Sequence, residues 1–257
     1  MPGNTAKIAA IYRYPIKGFS PEPLSSVKLA MGETLPADRR YAVENGPSGF
    51  DPAAPAYFPK IKFLMLMKNE RLARLKTRYD DANDMLTIHE GGKEVVCGAL
   101  GTPEGRTAIE SFLAKYCADE LRGPPKVLRG NGHSFSDVAR KVVSLINLAS
   151  VAALEAATGV PVDPLRFRAN LYVEGWPAWH EFDLLDQDVT IGPFARARVI
   201  KRIVRCAATN VDPQTGIRDL EIPKTLTQTF GHQDLGVYLH VVTPGLIAAG
   251  NTVEAAP

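Results

Sequence analysis

The stretch "IVRCAATNVDPQTG", residues 203–216, runs from β-branched residues into turn formers and sets one cysteine at the junction. Ile203 and Val204, with Val199 and Ile200 before them, have strand chemistry, whereas "DPQTG" has that of a turn. Cys206 therefore stands at a strand end, where loops on a rigid scaffold build sites. A free cysteine is ordinarily a small buried hydrophobe. Arg205 beside it, with Lys201 and Arg202 upstream, supplies a positive field. Such a field favours a thiolate, the form that binds soft metals or attacks as a nucleophile. Cys97, in a hairpin, and Cys117, on a helix, lack that environment and read as core or surface filler.

Outward from this stretch the chain alternates short strands and turns. "AKIAAIYRYPIKG" is a first strand running into a loop, and "SSVKLAMGETLPADRRYAVEN" holds two more joined at Gly32. "GPSGFDPAAPAYFPK" is an exposed proline- and glycine-rich loop. Residues 63–95 hold a short helix and then a hairpin closed by "DDAND". In "GRTAIESFLAKYCADEL" the period changes: Ile109, Phe112, Leu113 and Tyr116 fall at helical spacing. "GPPKVLRGNGHSFSD" is a boundary. "NLASVAALEAATG" is a second helix, with Ser150 as N-cap and Gly159 as its stop. Strand patterns return in "RFRANLYVEG", "DVTIGPFARARVIKRIVRC", "GVYLHVV" and "NTVEA". Many short strands and two helices, without regular βαβ alternation, define a β-rich α+β protein, and closure into barrels solves its edge-strand problem.

Composition removes several function classes. The chain has 257 residues, 45% hydrophobic and 23% charged, long enough for two lobes. A net charge of +2 without a long Lys/Arg block is too small to argue for a nucleic-acid or membrane-surface role. No apolar run reaches the roughly 20 residues of a membrane span, and the N-terminus lacks the h-region of a leader. Three irregularly spaced cysteines form no disulfide framework, which points to the reducing cytoplasm. The five histidines make no zinc motif, and neither "GPSGF" nor "GALGTPEG" matches a nucleotide fingerprint.

A second cationic group lies in "PLRFRANLYVEG". Read as a strand, it projects Arg166, Arg168 and Asn170 from one face. Guanidinium groups grip phosphate bidentately, so such a face makes an anion site. Lys17 in "YPIKG" and Arg39 and Arg40 in "ADRRYAV" add further cations.

"YPIKG", "ADRRYAV", "FRANLYVEG", "RCAATNVDPQTG" and "GVYLHVVTPGLIAAGNTV" stand in the order found in MOSC-domain proteins, the family named for the C-terminal domain of molybdenum cofactor sulfurases. Over nearly its whole length the chain resembles the mitochondrial amidoxime-reducing component and its bacterial relatives. The resemblance implies an N-terminal MOSC β-barrel lobe over 1–125 and a MOSC β-barrel domain with a few helices over 126–257. It puts the metal-ligating and catalytic role on Cys206. The pterin-phosphate contacts fall on Lys17, Arg39, Arg168, Asn170, Arg205 and Tyr238. The implied cofactor is Mo-molybdopterin, and molybdenum ion and pyridoxal phosphate binding are the ligand classes that come with the family. The implied activity is a molybdenum-dependent oxidoreductase that removes oxygen from N-hydroxylated compounds. Its partners are a small-molecule substrate and a separate flavin or iron–sulfur electron donor, since three scattered cysteines cannot hold a ferredoxin cluster. A cofactor carrier, or a sulfur-transfer protein with a persulfide on Cys206, are the alternatives. Four positions depart from the reductase pattern, one of them Ala169, which stands where the family's "FRPN" element has proline. Gly18 replaces a frequent serine, and Val138 and Ala139 stand where hydroxyl residues occur.

Overall fold

The computed structural model describes residues 5–256. The first four residues of the segment read for a leader, and residue 257 of the second expected domain, lie outside the described residues. In chain order the elements are β1 (Thr5–Arg13), β2 (Glu22–Leu24), β3 (Ser26–Leu29), β4 (Tyr41–Asn45), β5 (Leu75–Asp80), β6 (Met85–Glu90), β7 (Lys93–Ala99), α1 (Pro103–Tyr116), β8 (Pro125–Arg129), β9 (Val143–Asn147), α2 (Leu148–Thr158), β10 (Leu171–Glu174), α3 (His180–Asp183), β11 (Asp188–Ile191), β12 (Ala195–Val204), α4 (Ile222–Phe230), β13 (Asp234–Thr243), β14 (Gly245–Ala248) and β15 (Thr252–Ala255). The β-rich α+β expectation holds. No helix is long and apolar enough to cross a membrane, among the described residues.

Seven strands close into a barrel in the order β10, β9, β13, β12, β11, β15, β1 and back to β10, with β2 added beside β1. Closure removes the free edges that an open sheet of this size would expose. The ring is antiparallel except between β9 and β10, which run parallel. Period-two alternation fills it: along β12, Ala195, Ala197 and Val199 point inward while Arg196 and Arg198 face water. Ile8, Leu145, Val173, Ile191, Leu239 and Val253 complete the interior. Each such side chain contributes roughly 1.5–3 kcal/mol on burial.

A second core forms where the β5–β6–β7 sheet and α1 pack with the β4–β8 pair, around Phe19, Leu64, Leu72, Leu86, Ile109 and Leu113. Thr102 caps α1, accepting a hydrogen bond from Gly105 N at 3.1 Å. The two lobes do not follow the two halves of the chain. β1 pairs with β10 and β15, and β3 pairs with β14, so the first strands belong to the barrel side. In the segment read as a boundary, β8 pairs with β4 over Tyr41–Asn45.

Two local expectations change. The N-cap of α2 is Asn147, whose side chain accepts from Ala149 N at 3.1 Å, because β9 runs directly into the helix. Ser150 lies inside that helix, buried, and donates to Glu181 Oε2 at 2.9 Å. Gly159 stops the helix as read, with φ of 72°. Two helices, α3 and α4, were not anticipated. The first is a single turn, and the stripe of the second, Ile222, Leu226 and Phe230, is short and set among β-branched threonines.

Candidate functional site

A cavity of about 290 Å³ opens between the barrel and the second core. Cys206, Lys17, Arg39, Arg168, Asn170, Arg205 and Tyr238, the seven residues singled out in the sequence, all line it. They come from five separate stretches of chain, which the closed barrel and the docked lobe bring together.

Cys206 is half-buried at the end of β12. Two register shifts, between Val199 and Lys201 and between Arg202 and Val204, break the alternation just before it. Such bulges bend a strand end and re-aim its side chains. The residues that follow are folded by their own side chains. Thr209 donates from Oγ1 to Cys206 O at 2.9 Å. Asp212 Oδ1 accepts from Gln214 N, Thr215 N and Thr215 Oγ1 within 2.9 Å, closing the "DPQTG" turn on Gly216 at φ of 71°. Asn210 Oδ1 accepts from Ile222 N at 2.9 Å, the first residue of α4. Arg218 ties this loop to the other lobe through Leu66 O, Met67 O and Glu70.

The strand expected at "RFRAN" is instead a short 3-10 turn over Pro164–Phe167, ended by Arg168 in the left-handed region at φ of 52°. Asp163 and Pro164 start that turn, and Arg166 and Arg168 therefore diverge. Arg166 spends its guanidinium on both oxygens of Asp219, at 2.8 and 2.6 Å, and on Asp212 at 3.2 Å. Its charge is spent on the carboxylates of the Cys206 loop.

Arg168, Arg39 and Arg205 form the cradle. Arg168 donates to Phe19 O at 2.7 Å, and Arg39 to Arg168 O at 2.8 Å and to Asp38 at 2.5 Å. Both guanidinium groups lie over the Tyr14 ring, 4.4 and 4.6 Å from its centroid. Arg39 also has left-handed backbone, φ 50°, so both cradle arginines hold a conformation that costs energy. Arg205 is buried and donates to Leu235 O and Phe167 O. Among the described residues neither Arg168 nor Arg205 meets a carboxylate. Burial pulls the pKa of each below the ordinary arginine value, and the charge of Asp137, which touches neither, offsets it only in part. Asn170 is committed to the scaffold: its Oδ1 accepts from Ser144 N and Oγ, and its Nδ2 donates to Tyr12 O. Burial raises Tyr238 above its ordinary range, keeping a neutral phenol on the wall.

Lys17 is buried with Nζ on Phe135 O at 2.9 Å and Asp137 Oδ1 at 2.5 Å. Burial lowers its pKa against the pull of Asp137. Asp137 is exposed at the cavity wall; desolvation by the surrounding protein opposes its charge, but Lys17 and Lys60 outweigh it and hold its carboxyl well below the usual range. Lys60 completes the group, donating from Nζ to Cys206 Sγ at 3.1 Å and lying 3.6 Å from Asp137 Oδ2. Burial opposes its charge, but Asp137 and Cys206 outweigh that and raise its pKa. Sequence reasoning missed Lys60, Asp137 and Tyr14. Lys60 ends the stretch read as an exposed loop and carries no local signal. A closer look at the "SFSD" step would have found Asp137.

Two glycines are required by contacts. Gly236, at φ of 80°, lets Arg205 lie along β13; a Cβ there would sit 2.5 Å from Leu145 O and 3.2 Å from Arg205 Nη2. Gly18, at φ of 86°, would place a Cβ 2.8 Å from Leu64 O. A serine at 18 does not fit this backbone. Val138 lines the cavity, and Ala139 is exposed outside it. Of the other cysteines, Cys97 is exposed on β7, while Cys117 is buried in the second core, where burial pushes its thiol up to about 12.

Residues 127–254 match the MOSC domain and residues 5–115 match the MOSC N-terminal beta barrel domain. The chain belongs to the MOSC-domain family. That family is associated with molybdenum-cofactor-binding proteins, some of them enzymes. Among solved structures, the YUAD protein of Bacillus subtilis is similar over 98% of this chain and 95% of its own, at 13% identity and a TM-score of 0.47. YiiM of Geobacillus stearothermophilus covers 45% of this chain with 54% of its own, at 22% identity and 0.35. YiiM of Escherichia coli covers the same shares at 18% and 0.34. No curated protein matches.

The MOSC cavity fits a pterin-bound metal by its donor set. Among the described residues no group of three or more His, Cys, Asp or Glu is placed to hold an ion. A metal on Cys206 therefore has to bring its other ligands with it. Arg168 and Arg205, charged and without carboxylates, suit the phosphate such a ligand carries.

Proposed function

We propose that this MOSC protein binds Mo-molybdopterin and works as an oxidoreductase on N-hydroxylated compounds, removing their oxygen. The observation that carries the reading is the convergence of a half-buried thiol with two arginines that no carboxylate neutralises, in one cavity. Cys206 would ligate the metal as a thiolate, and Arg168 and Arg205 would hold the phosphate, with Arg39 bracing Arg168 through its carbonyl oxygen. When bound, the cofactor supplies the two-electron chemistry that the protein's side chains lack. The chain's own work is positional and acid–base. The Asp212 turn and Arg166 fix the backbone that presents Cys206. Lys60 holds a proton at Nζ beside the sulfur, and Asp137 anchors Lys60 against Lys17. Loss of the oxygen as water takes two electrons, which the bound cofactor would supply, and two protons, one of which Lys60 would deliver and solvent the other. A separate flavin or iron–sulfur protein returns the electrons, and three unpaired thiols suit a reducing cytoplasm. The reading gives pyridoxal phosphate no role.

The test is elemental analysis of protein made in a host that produces the cofactor. Wild type and Cys117→Ser should carry molybdenum and Cys206→Ser should lack it; equal metal in all three refutes the assignment. Loaded protein given reduced viologen should then convert benzamidoxime to benzamidine. Full loading without turnover, together with transfer of the cofactor to an apo-enzyme, would favour a carrier.

A further inference from the structure

We infer that the mouth of this cavity selects anionic substrates, N-hydroxylated compounds that also carry a carboxylate, and that Lys201 is the cation that recognises them. The inference rests on the reductase reading and names the substrate class of the same site. Eight basic and two acidic residues line the cavity, and most of the basic ones are already committed. Arg166 is held by Asp212 and Asp219, Lys17 by Asp137 and Arg39 by Asp38. Arg202 turns its guanidinium onto the ring of Phe182, 4.3 Å from the centroid, and Phe182 is not part of the cavity wall. Lys60 stands on Cys206 and Asp137. Arg168 and Arg205 remain for a phosphate, which carries about −1.5 to −2 near neutral pH.

Lys201 is left over. It sits opposite Tyr238 in the β12–β13 register, so the two side chains leave the sheet on one face, and Tyr238 lines the cavity. Lys201 is exposed and meets no carboxylate among the described residues. The same cavity has aliphatic walls at Val138, Val142 and Val204. A lone cation and an aliphatic wall suit a flat apolar body ending in a carboxylate. A cationic substrate would meet a wall of eight basic residues whose two acidic neighbours are already paired with Lys17 and Arg39.

The probe pair is benzamidoxime and its para-carboxylate, reduced by cofactor-loaded protein with viologen at low ionic strength. The readout is the ratio of their kcat/KM values. An exposed ion pair of this kind gives the carboxylate up to about a fivefold preference. Lys201→Met should bring the ratio to parity, Lys201→Glu should invert it, and added salt should erase it in the wild type. A ratio unchanged in both variants overturns the inference. If loaded protein reduces neither compound, the reductase reading fails, and calorimetry on the same loaded protein decides the charge claim separately. Tighter binding of the carboxylate, lost in Lys201→Met, supports it; equal binding of both probes overturns it.

Discussion

Replacing Arg168 with methionine keeps much of the side-chain volume and deletes the charge. In the metal-free protein the variant loses one hydrogen bond, to Phe19 O, and the contact with Tyr14. These are worth about 1 kcal/mol each. Against that loss stands relief from holding a half-buried cation beside Arg39, whose like charge works on Arg168 after burial itself. The terms oppose each other, so unfolding stability should change by no more than about 1 kcal/mol. Anion binding has no such compensation. A charge-assisted hydrogen bond contributes about 1.5–3 kcal/mol, which is roughly a 10- to 150-fold loss of affinity. The assay is thermal unfolding against inorganic phosphate. At a concentration 100-fold above the wild-type Kd, binding stabilises by about 2.7 kcal/mol and raises Tm by about 5–10 °C. A 30-fold weaker variant at that concentration gains only about 0.9 kcal/mol and about 2–3 °C. General salting effects act on both proteins alike and cancel in the comparison. An undiminished phosphate response would refute the cradle. A metal-free variant weaker by much more than about 2 kcal/mol would show that the arginine is structural.

Two other perturbations address the scaffold. Gly236→Ala forces a Cβ against Leu145 O at a left-handed position, and should lower stability by about 2–4 kcal/mol in urea titration; a change under about 0.5 kcal/mol would contradict the packing around Arg205. Asp137 has a folded pKa below its unfolded value, so its contribution is present above about pH 4 and fades as pH falls through the folded pKa. Asp137→Asn should therefore flatten the acid limb of the stability curve, read as urea midpoints between about pH 2 and 6; a limb as steep as wild type would exclude the Lys17–Asp137–Lys60 group as its source.

What could be read in the sequence divides by range. Alternation along β12 and β13 and the period of α1 are local patterns, and they gave the β-rich class correctly. Gly159 was readable because a left-handed stop needs glycine. Six of the seven cavity residues stood out as a thiol, its neighbouring cations and a strand-face asparagine; motif resemblance gave them roles and added Tyr238, and the structure brings all seven to one place. The alternation argument applied to Arg166 and Arg168 failed, since Asp163 and Pro164 start a 3-10 turn that hydrophobic periodicity does not detect. Lys60 was invisible for a different reason. Its role depends on a contact 146 positions away in the chain, and nothing in "AYFPK" distinguishes it from a solvated lysine. Asp137 was passed over in the same way, as part of a boundary.

The "RCAATNVDPQTG" motif also shows why so specific a string surrounds one cysteine. Only Cys206, Arg205, Ala208 and Thr209 of its residues reach the cavity wall. Thr209 bonds back to the Cys206 carbonyl, Asn210 meets the start of α4, Asp212 closes the turn and receives Arg166, and Gly216 takes the left-handed corner. Val211 is buried in the second core, so the loop also joins the two lobes. Most of the motif therefore specifies backbone, and each part serves to hold one sulfur at a fixed place facing Arg168 and Lys60. Loosening any of these bonds should move the sulfur before it unfolds the barrel, because the loop lies outside the closed ring of strands. Arg166, whose guanidinium is spent on Asp212 and Asp219, thus belongs with the site as firmly as Arg168 does.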